Sequence, residues 1–225
     1  MILWLASYPR SGNTLLRTML QKAFGLSSYS VYDDDTDLGL IPEVRNQVGH
    51  QFLGAPIAEF YQRERNSPEL KLVKTHDPPV DDGAAIYVIR DGRSAIVSRY
   101  NMLVNLRKRS DISITDVILG RKARFGHWTG HIRAWEPRQR PKTLLLFYHD
   151  LLSNPGHALT AISGFIGRQS VAQWHNNFDE LHRVFPEFFN RGSDEANVAQ
   201  MTQEEQALFW TVHGDCMREY GFSPR

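Results

Sequence analysis

The segment ILWLASYPRSGNTLLRTML, residues 2–20, decides the fold that the sequence predicts. Residues 2–7 form a largely apolar run of strand length, which is typical of a strand buried in a parallel sheet. Residues 14–24 have the composition of a helix, and small and polar residues lie between the two. The segment therefore has the order strand, turn, helix.

The turn places Arg10 and Gly12 at the N-terminus of the predicted helix. A helix N-terminus has unpaired backbone N–H groups and a partial positive charge, so it suits an anion. Gly12 permits close approach of the backbone to a ligand, and Arg10 adds a planar cation. Alternatively, Ser11 or Asn13 merely caps a structural helix. The turn by itself leaves both interpretations open.

Strands and helices alternate along the rest of the chain. Further strands are predicted at 70–75, 84–89 and 143–147, and helices at 91–106, 113–136 (broken near Gly120), 155–166 and 202–220. Residues 33–66 are predicted to be helical in part, with DDDTD at 33–37 as a helix start. This order predicts an α/β fold of three layers, a central parallel sheet flanked by helices.

Length and composition predict one globular domain over residues 1–225. A formal net charge of +1 argues against a general nucleic-acid or membrane-surface binder. The one cysteine excludes an intrachain disulfide and fits a reducing compartment. The sequence shows no apolar run of membrane-spanning length and no signal-peptide pattern, so we expect a cytoplasmic protein without a membrane span.

Three polar clusters follow predicted strands: Pro9–Thr14, Lys74–His76, and the segment from Arg90 onward. Ligands of parallel sheets bind beyond the carboxyl ends of the strands, so the clusters predict one site. Ser98 lies eight residues after Arg90, about two helical turns away, where both can face a second anion. The alternative for this pair is a surface helix with scattered arginines.

Lys74 and His76 point the same way if their segment is extended, because strand side chains alternate between faces. A histidine titrates near neutral pH, and His76 beside a lysine is therefore a candidate general base. A surface histidine on a turn is the alternative. The spacing of His127 and His131 suits two ligands on one helix face, but no third ligand is nearby, and we predict no metal.

Together the clusters resemble the sulfotransferases that use 3'-phosphoadenosine 5'-phosphosulfate. SYPRSGNT is similar to the 5'-phosphosulfate loop of that family, VKTH to its catalytic-histidine strand, and IRDGRSAIVS to its 3'-phosphate segment. LLFYHDLLSNPGHALTAISGFIG, NNFDEL and FFNRGS resemble later segments in the same order. The resemblance runs from about residue 2 to about residue 220 and implies the P-loop NTPase-like sulfotransferase fold.

The resemblance also implies roles for single residues. His76 is the implied general base, and Arg10 and Lys74 are the implied catalytic cations beside the leaving phosphate and the sulfuryl group. The implied donor-binding residues are Arg10, Ser11, Gly12, Asn13 and Thr14 at the 5'-phosphate, Arg90 and Ser98 at the 3'-phosphate, Tyr148 and Phe178 near adenine, and Arg191 and Gly192 in a closing loop. The implied co-product is adenosine 3',5'-bisphosphate, and no metal is implied.

The sequence departs from the family pattern at several positions. Arg10 stands where members have lysine, Leu15 stands where many have a tryptophan on adenine, and Asn190 stands where an arginine is common. Leu15 leaves open how adenine is stacked.

Two other functions stay open. A P-loop kinase would need magnesium and a Gly-Lys-Ser/Thr loop, which this sequence lacks. A non-catalytic nucleotide-binding module would not need His76 beside Lys74. For a sulfotransferase we expect a small-molecule acceptor with a hydroxyl or an amine, bound by residues within 29–66 and 100–130. The sequence determines neither the acceptor nor the oligomeric state.

Overall fold

The computed structural model describes residues 1–32, 41–122, 124–176, 178–186, 189 and 194–223. Its centre is a parallel five-stranded sheet in the order β2-β3-β1-β4-β5. The strands are β1 (Ile2–Ala6), β2 (Ser28–Ser30), β3 (Lys71–Thr75), β4 (Ala85–Ile89) and β5 (Thr143–Phe147). The predicted α/β fold with a central parallel sheet is confirmed.

Helices connect the strands and cover both faces of the sheet. The helices of the described residues are α1 (Asn13–Phe24), α2 (Pro42–Gln47), α3 (Ile57–Glu64), α4 (Gly92–Asn101), α5 (Ile114–Ile118), α6 (Trp128–Trp135), α7 (Tyr148–Ser153), α8 (Pro155–Ile166), α9 (Phe178–Val184), α10 (Asp194–Val198) and α11 (Gln203–Glu219), with a π-helix at Met102–Leu106 after α4.

Alternation along β1 divides the core into two layers. Trp4 packs on one face with residues of α4, α6 and α11, whereas Leu3 and Leu5 pack on the other face with residues of α1 and α8. Since both faces of the strand are buried, almost every residue of β1 must be apolar. The run ILWLA meets this requirement.

The long elements match their predicted bounds closely, and several short elements were missed. Strand β2 has three residues, SYS, and no apolar alternation that would predict it. The buried Arg17 guanidinium holds this strand by donating from Nε to the Ser28 hydroxyl at 2.7 Å. Helices α7, α9 and α10 were not predicted either, and the predicted helix start at 33–37 lies outside the described residues.

The strand order brings the three polar clusters together. Strand β1 lies between β3 and β4, with Ala6 opposite Thr75 on one side and Tyr87 on the other. The residues that follow these strands therefore surround one point at the carboxyl edge of the sheet. Of the helices in the described part of the chain, none is long and apolar enough to cross a bilayer.

Candidate active site

A cavity of about 370 Å³ lies at this edge of the sheet. All three polar clusters contribute to its wall, with Arg10 and Thr14 from the first, Lys74 and His76 from the second, and Arg90 and Ser98 from the third. No aspartate or glutamate of the described residues lines it. Its volume falls in the range of about 300–1,000 Å³ that is usual for small-molecule sites.

The turn before α1 is shaped by two residues with positive φ, Arg10 at 66° and Gly12 at 107°. A Cβ on Gly12 would lie 2.5 Å from Cδ2 of Tyr148. Gly12 is therefore required by its backbone conformation and by the tyrosine ring packed against it.

The capping interpretation of this turn does not describe the structure. Gly12 itself is the N-cap of α1, and no side chain caps the helix. Asn13 instead donates from Nδ2 to the Leu5 carbonyl at 2.8 Å, which ties the helix to β1. Ser11 is fully buried behind the cavity wall, and its backbone N–H donates to the Tyr8 carbonyl.

Two hydrogen bonds hold Arg10, one to Ser98 of α4 and one to Arg90, the residue after β4. Its Nε donates to the Ser98 hydroxyl at 3.1 Å, and its carbonyl accepts from Nη1 of Arg90 at 3.1 Å. Burial, followed by the nearby charge of Arg90, lowers the pKa of Arg10 to about 10. Arg10 therefore remains a cation at neutral pH, and the two arginines and Ser98 form one positively charged cluster.

Arg90 has an acidic partner that the sequence analysis missed. Its Nε and Nη2 both donate to Oδ1 of Asp194, at 2.9 and 2.5 Å. The same carboxylate accepts from the Ser94 hydroxyl at 2.6 Å, and Asn197 donates to that hydroxyl. The five residues of α10 carry no apolar periodicity that would have predicted their place over Arg90. The Arg90 guanidinium also stacks on Tyr148, 4.3 Å from the ring centre.

His76 and Lys74 line the cavity together, as the alternation of strand side chains predicts. Nδ1 of His76 lies 2.7 Å from the Ser7 carbonyl oxygen. Because a carbonyl only accepts, Nδ1 carries the hydrogen, and Nε2 is then the basic nitrogen of the neutral ring. Lys74 is buried, with Nζ 5.2 Å from the centre of the Tyr32 ring.

The backbone at His76 is held by buried aromatic side chains. Nε2 of His131 donates to the His76 carbonyl at 3.0 Å, while its Nδ1 accepts from the Tyr87 hydroxyl at 2.7 Å. Burial lowers the pKa of His131 to about 3, which keeps the ring neutral and suited to this pair of bonds. Trp135 donates to the next carbonyl, of Asp77, at 2.9 Å. From sequence, a surface or satisfied structural role was favoured for His131 over metal ligation, but its partners could not be named.

Tyr32 and Phe125 form an aromatic wall around His76. The Tyr32 ring is nearly parallel to the imidazole, with ring centres 6.0 Å apart. Phe125 meets the imidazole edge-on at 5.6 Å, and both aromatic side chains line the cavity. These residues fall within the two ranges predicted to bind an acceptor.

Of the other residues predicted to bind the nucleotide, some line the cavity and some lie outside the described residues. Tyr148 and Phe178 line the cavity, and so does Leu15, the residue at the position of the stacking tryptophan. Arg191 and Gly192, predicted to close over the nucleotide, lie outside the described residues.

The two spaced histidines have structural partners. His127 caps α6 by accepting from the Gly130 N–H at 3.0 Å, and His131 bonds as described above. Among the residues that the structure describes, no group of three His, Cys, Asp or Glu is placed to hold a metal ion.

A parallel sheet with a cation-lined cavity beyond its strand ends defines an α/β protein with a site for an anionic ligand. The model of the sulfotransferase domain matches residues 2–186. The chain therefore belongs to the sulfotransferase family. The predicted family and enzyme class, a sulfotransferase, are confirmed.

Curated relatives and solved structures agree with this assignment. Sulfotransferase 1E1 of Mus musculus is 25% identical over 215 residues, covering 89% of this chain and 69% of the relative. Mouse sulfotransferase SULT7A1 complexed with PAP has a TM-score of 0.68 at 15% identity, covering 97% of this chain and 87% of that one. Retinol dehydratase in complex with androsterone and inactive cofactor PAP has a TM-score of 0.67 at 17% identity, covering 100% of this chain and 82% of that one. At such identities the solved structures support the fold.

Proposed function

We propose that the enzyme moves a sulfuryl group from 3'-phosphoadenosine 5'-phosphosulfate to a hydroxyl or amine of a small molecule, with His76 as general base. The hydrogen bond from His76 Nδ1 to the Ser7 carbonyl is the main support for that role. It fixes the tautomer whose Nε2 can accept a proton, in a cavity that also holds Arg10 and Lys74.

The residues of the cavity fit a doubly phosphorylated donor. Arg10, Gly12, Asn13 and Thr14 line it at the N-terminus of α1, where a 5'-phosphate would be held. Ser11, also proposed for this phosphate, would act by shaping the turn, because its side chain is buried behind it.

A second anion subsite is proposed at Arg90 and Ser98. Both residues line the cavity, and both are hydrogen-bonded to Arg10. Tyr148 stacks on Arg90 and, with Phe178, is proposed to contact adenine. Arg191 and Gly192 remain proposed closing-loop residues.

When bound, the donor supplies the sulfuryl group, whose bond to the 5'-phosphate oxygen breaks as the bond to the acceptor oxygen forms. Nε2 of His76 takes the proton that the acceptor hydroxyl loses. Arg10 and Lys74 stabilise the negative charge that develops on the leaving phosphate. Because all three groups are buried or half-buried and fixed before reaction, little reorganisation is required of the protein.

Transfer of labelled sulfate from the donor to a panel of hydroxylated and amino compounds tests this proposal, together with binding of adenosine 3',5'-bisphosphate in EDTA. We expect the bisphosphate to bind without magnesium and to bind more tightly than adenosine 5'-monophosphate. A requirement for magnesium, or phosphate transfer from ATP, would favour the kinase alternative. Bisphosphate binding that is unaffected by loss of both Arg10 and Arg90 would contradict the assigned site.

A further inference from the structure

The cavity also contains two arginines, Arg99 and Arg124, that are not among the residues proposed to bind the donor. Their guanidinium carbons lie 5.2 and 5.3 Å from the centre of the Phe125 ring, and that ring contacts the His76 imidazole. Two cations are therefore placed around the aromatic wall of the proposed base.

Arg99 is a buried cation with no carboxylate partner in the part of the chain that the structure describes. It is 3% exposed, and its Nη1 is buried with no hydrogen-bond partner among the described residues. Its contacts are the faces of Tyr8 and Phe125, each 5.2 Å from the guanidinium carbon. Burying a charge without a counter-charge is unfavourable, which indicates that a ligand supplies one.

Arg124 is exposed, but among the described residues it resembles Arg99 in having no carboxylate partner, unlike its basic neighbours. Arg109 forms an ion pair with Asp111 at 2.7 Å, and Lys122 donates to the Asp111 carbonyl. Within the described residues Arg124 has no such partner, and it stacks on Tyr32 at 4.8 Å as well as on Phe125. Its guanidinium edge therefore retains donors for a ligand in the cavity.

We infer that the acceptor carries an anionic group, a carboxylate, sulfate or phosphate, which Arg99 and Arg124 bind while its hydroxyl meets His76. The planar guanidinium fork matches the paired oxygens of all three groups. Tyr32 and Phe125 would enclose the body of the acceptor between the anionic group and the hydroxyl. This inference rests on the proposed function, since it specifies the acceptor of the same site.

The test uses matched pairs of acceptors that differ only in charge: para-hydroxyphenylacetate against its amide, and ω-hydroxyhexanoate against its amide. In the wild type we expect kcat/KM to favour the carboxylate member of a pair by about tenfold or more. In Arg99→Gln and Arg124→Gln the preference should fall to about threefold or less, whereas Arg99→Lys should retain part of it. Binding of adenosine 3',5'-bisphosphate should be unchanged in all of these variants.

Arg121→Gln is the matched control, because Arg121 is exposed on the same segment and does not line the cavity. It should keep the wild-type preference. Equal or higher activity with the amides, no transfer to either member of any pair, or a preference that survives in the Arg99→Gln, Arg124→Gln double variant would overturn the inference. A weaker affinity for the donor with an unchanged acceptor preference would assign Arg99 to the sulfuryl group instead, and would also overturn it. Failure to bind the bisphosphate would overturn the proposed function itself.

Discussion

The two ends of the cavity hold their cations in different ways. At the proposed donor end, Arg10 is hydrogen-bonded to Ser98, and Arg90 is hydrogen-bonded to the Arg10 carbonyl and to Asp194. At the proposed acceptor end, Arg99 and Arg124 rest on aromatic faces. A hydrogen-bonded cation is fixed in direction and suits one invariant ligand, whereas a stacked cation can turn within its plane and suits a ligand of varied shape. His76 lies where the two ends meet.

Removal of the proposed base should have the largest effect, because both ends depend on it for transfer. In His76→Ala we expect kcat to fall by about 10²- to 10⁴-fold, since no other histidine, aspartate or glutamate of the described residues lines the cavity to take the proton from the acceptor. Bisphosphate affinity should be preserved, which titration calorimetry can measure. A variant with full transfer activity would show that proton removal occurs elsewhere, and a variant that lost nucleotide binding would assign His76 to the donor end.

Arg10 tests whether the donor end acts in catalysis or only in positioning. Arg10→Ala should lower kcat by about 10²- to 10³-fold, the usual effect of removing one group that stabilises developing charge. Arg10→Lys keeps the charge but loses the Nε bond to Ser98, and it should retain most of the activity. A normal kcat in Arg10→Ala with a higher KM for the donor would restrict this residue to binding.

The position of the residues at the proposed donor end could be predicted from sequence because they follow long, strongly patterned elements. The apolar run of β1 and the strand before Arg90 determine where their polar ends must lie, and these clusters lie within one wall. The acceptor end was not predictable in this detail. Arg99 looked like one of several arginines on a surface helix, and only the packing of α4 against Tyr8 and Phe125 shows that it is buried.

His131 shows a second limit of sequence reasoning. Its sequence context favoured a surface or structural histidine over a metal ligand but named no partner, and in space it bonds to a strand-end carbonyl and a tyrosine from β4. Sequence spacing within one helix carries no information on which strand residues the helix will meet. Such a contact becomes visible only when the helix is placed on the sheet.

His131→Asn should therefore separate positioning from binding. Loss of the bond from Nε2 to the His76 carbonyl should lower kcat by about tenfold through misplacement of the base, with the KM for the donor unchanged. A metal or acceptor ligand role would instead change a binding constant. A fall in kcat and a rise in both KM values together would contradict the positioning role.

The same variant makes a prediction about acid stability. The pKa of His131 is about 3 when folded and near 6.5 in an ordinary environment. Between these pH values the unfolded chain binds a proton that the folded chain does not, so the free energy of unfolding decreases as pH falls. One such group contributes about 1.4 kcal/mol per pH unit to the pH dependence of the unfolding free energy. In His131→Asn the slope of the whole protein should be smaller by that amount. Urea unfolding at several pH values measures it, and His157→Asn, at an exposed histidine, should leave the slope unchanged.

The smallest expected effect concerns Asp194, the one acidic group that contacts the donor-end arginines in the described part of the chain. Asp194 occupies the Nε and Nη2 donors of Arg90, and a 3'-phosphate bound at the proposed subsite would compete with it for them. Because this carboxylate is about one-third exposed, the competition is screened, and Asp194→Asn should tighten bisphosphate binding by about two- to fivefold. Asp215→Asn, which removes an exposed charge far from the cavity wall, should not change the affinity.

Whether Asp194→Asn tightens or weakens bisphosphate binding decides the role of the hydrogen bonds between Asp194 and Arg90. Tighter binding that diminishes in high salt would show that the donor end is held partly neutralised until the nucleotide displaces the carboxylate. Weaker binding would show the opposite, that Asp194 orients Arg90 for the phosphate. The affinity of the proposed donor end would then depend on this carboxylate as well as on the arginines. Adenosine 5'-monophosphate separates the two further, because it lacks the 3'-phosphate and its affinity should be unaffected if Asp194 competes at that position alone.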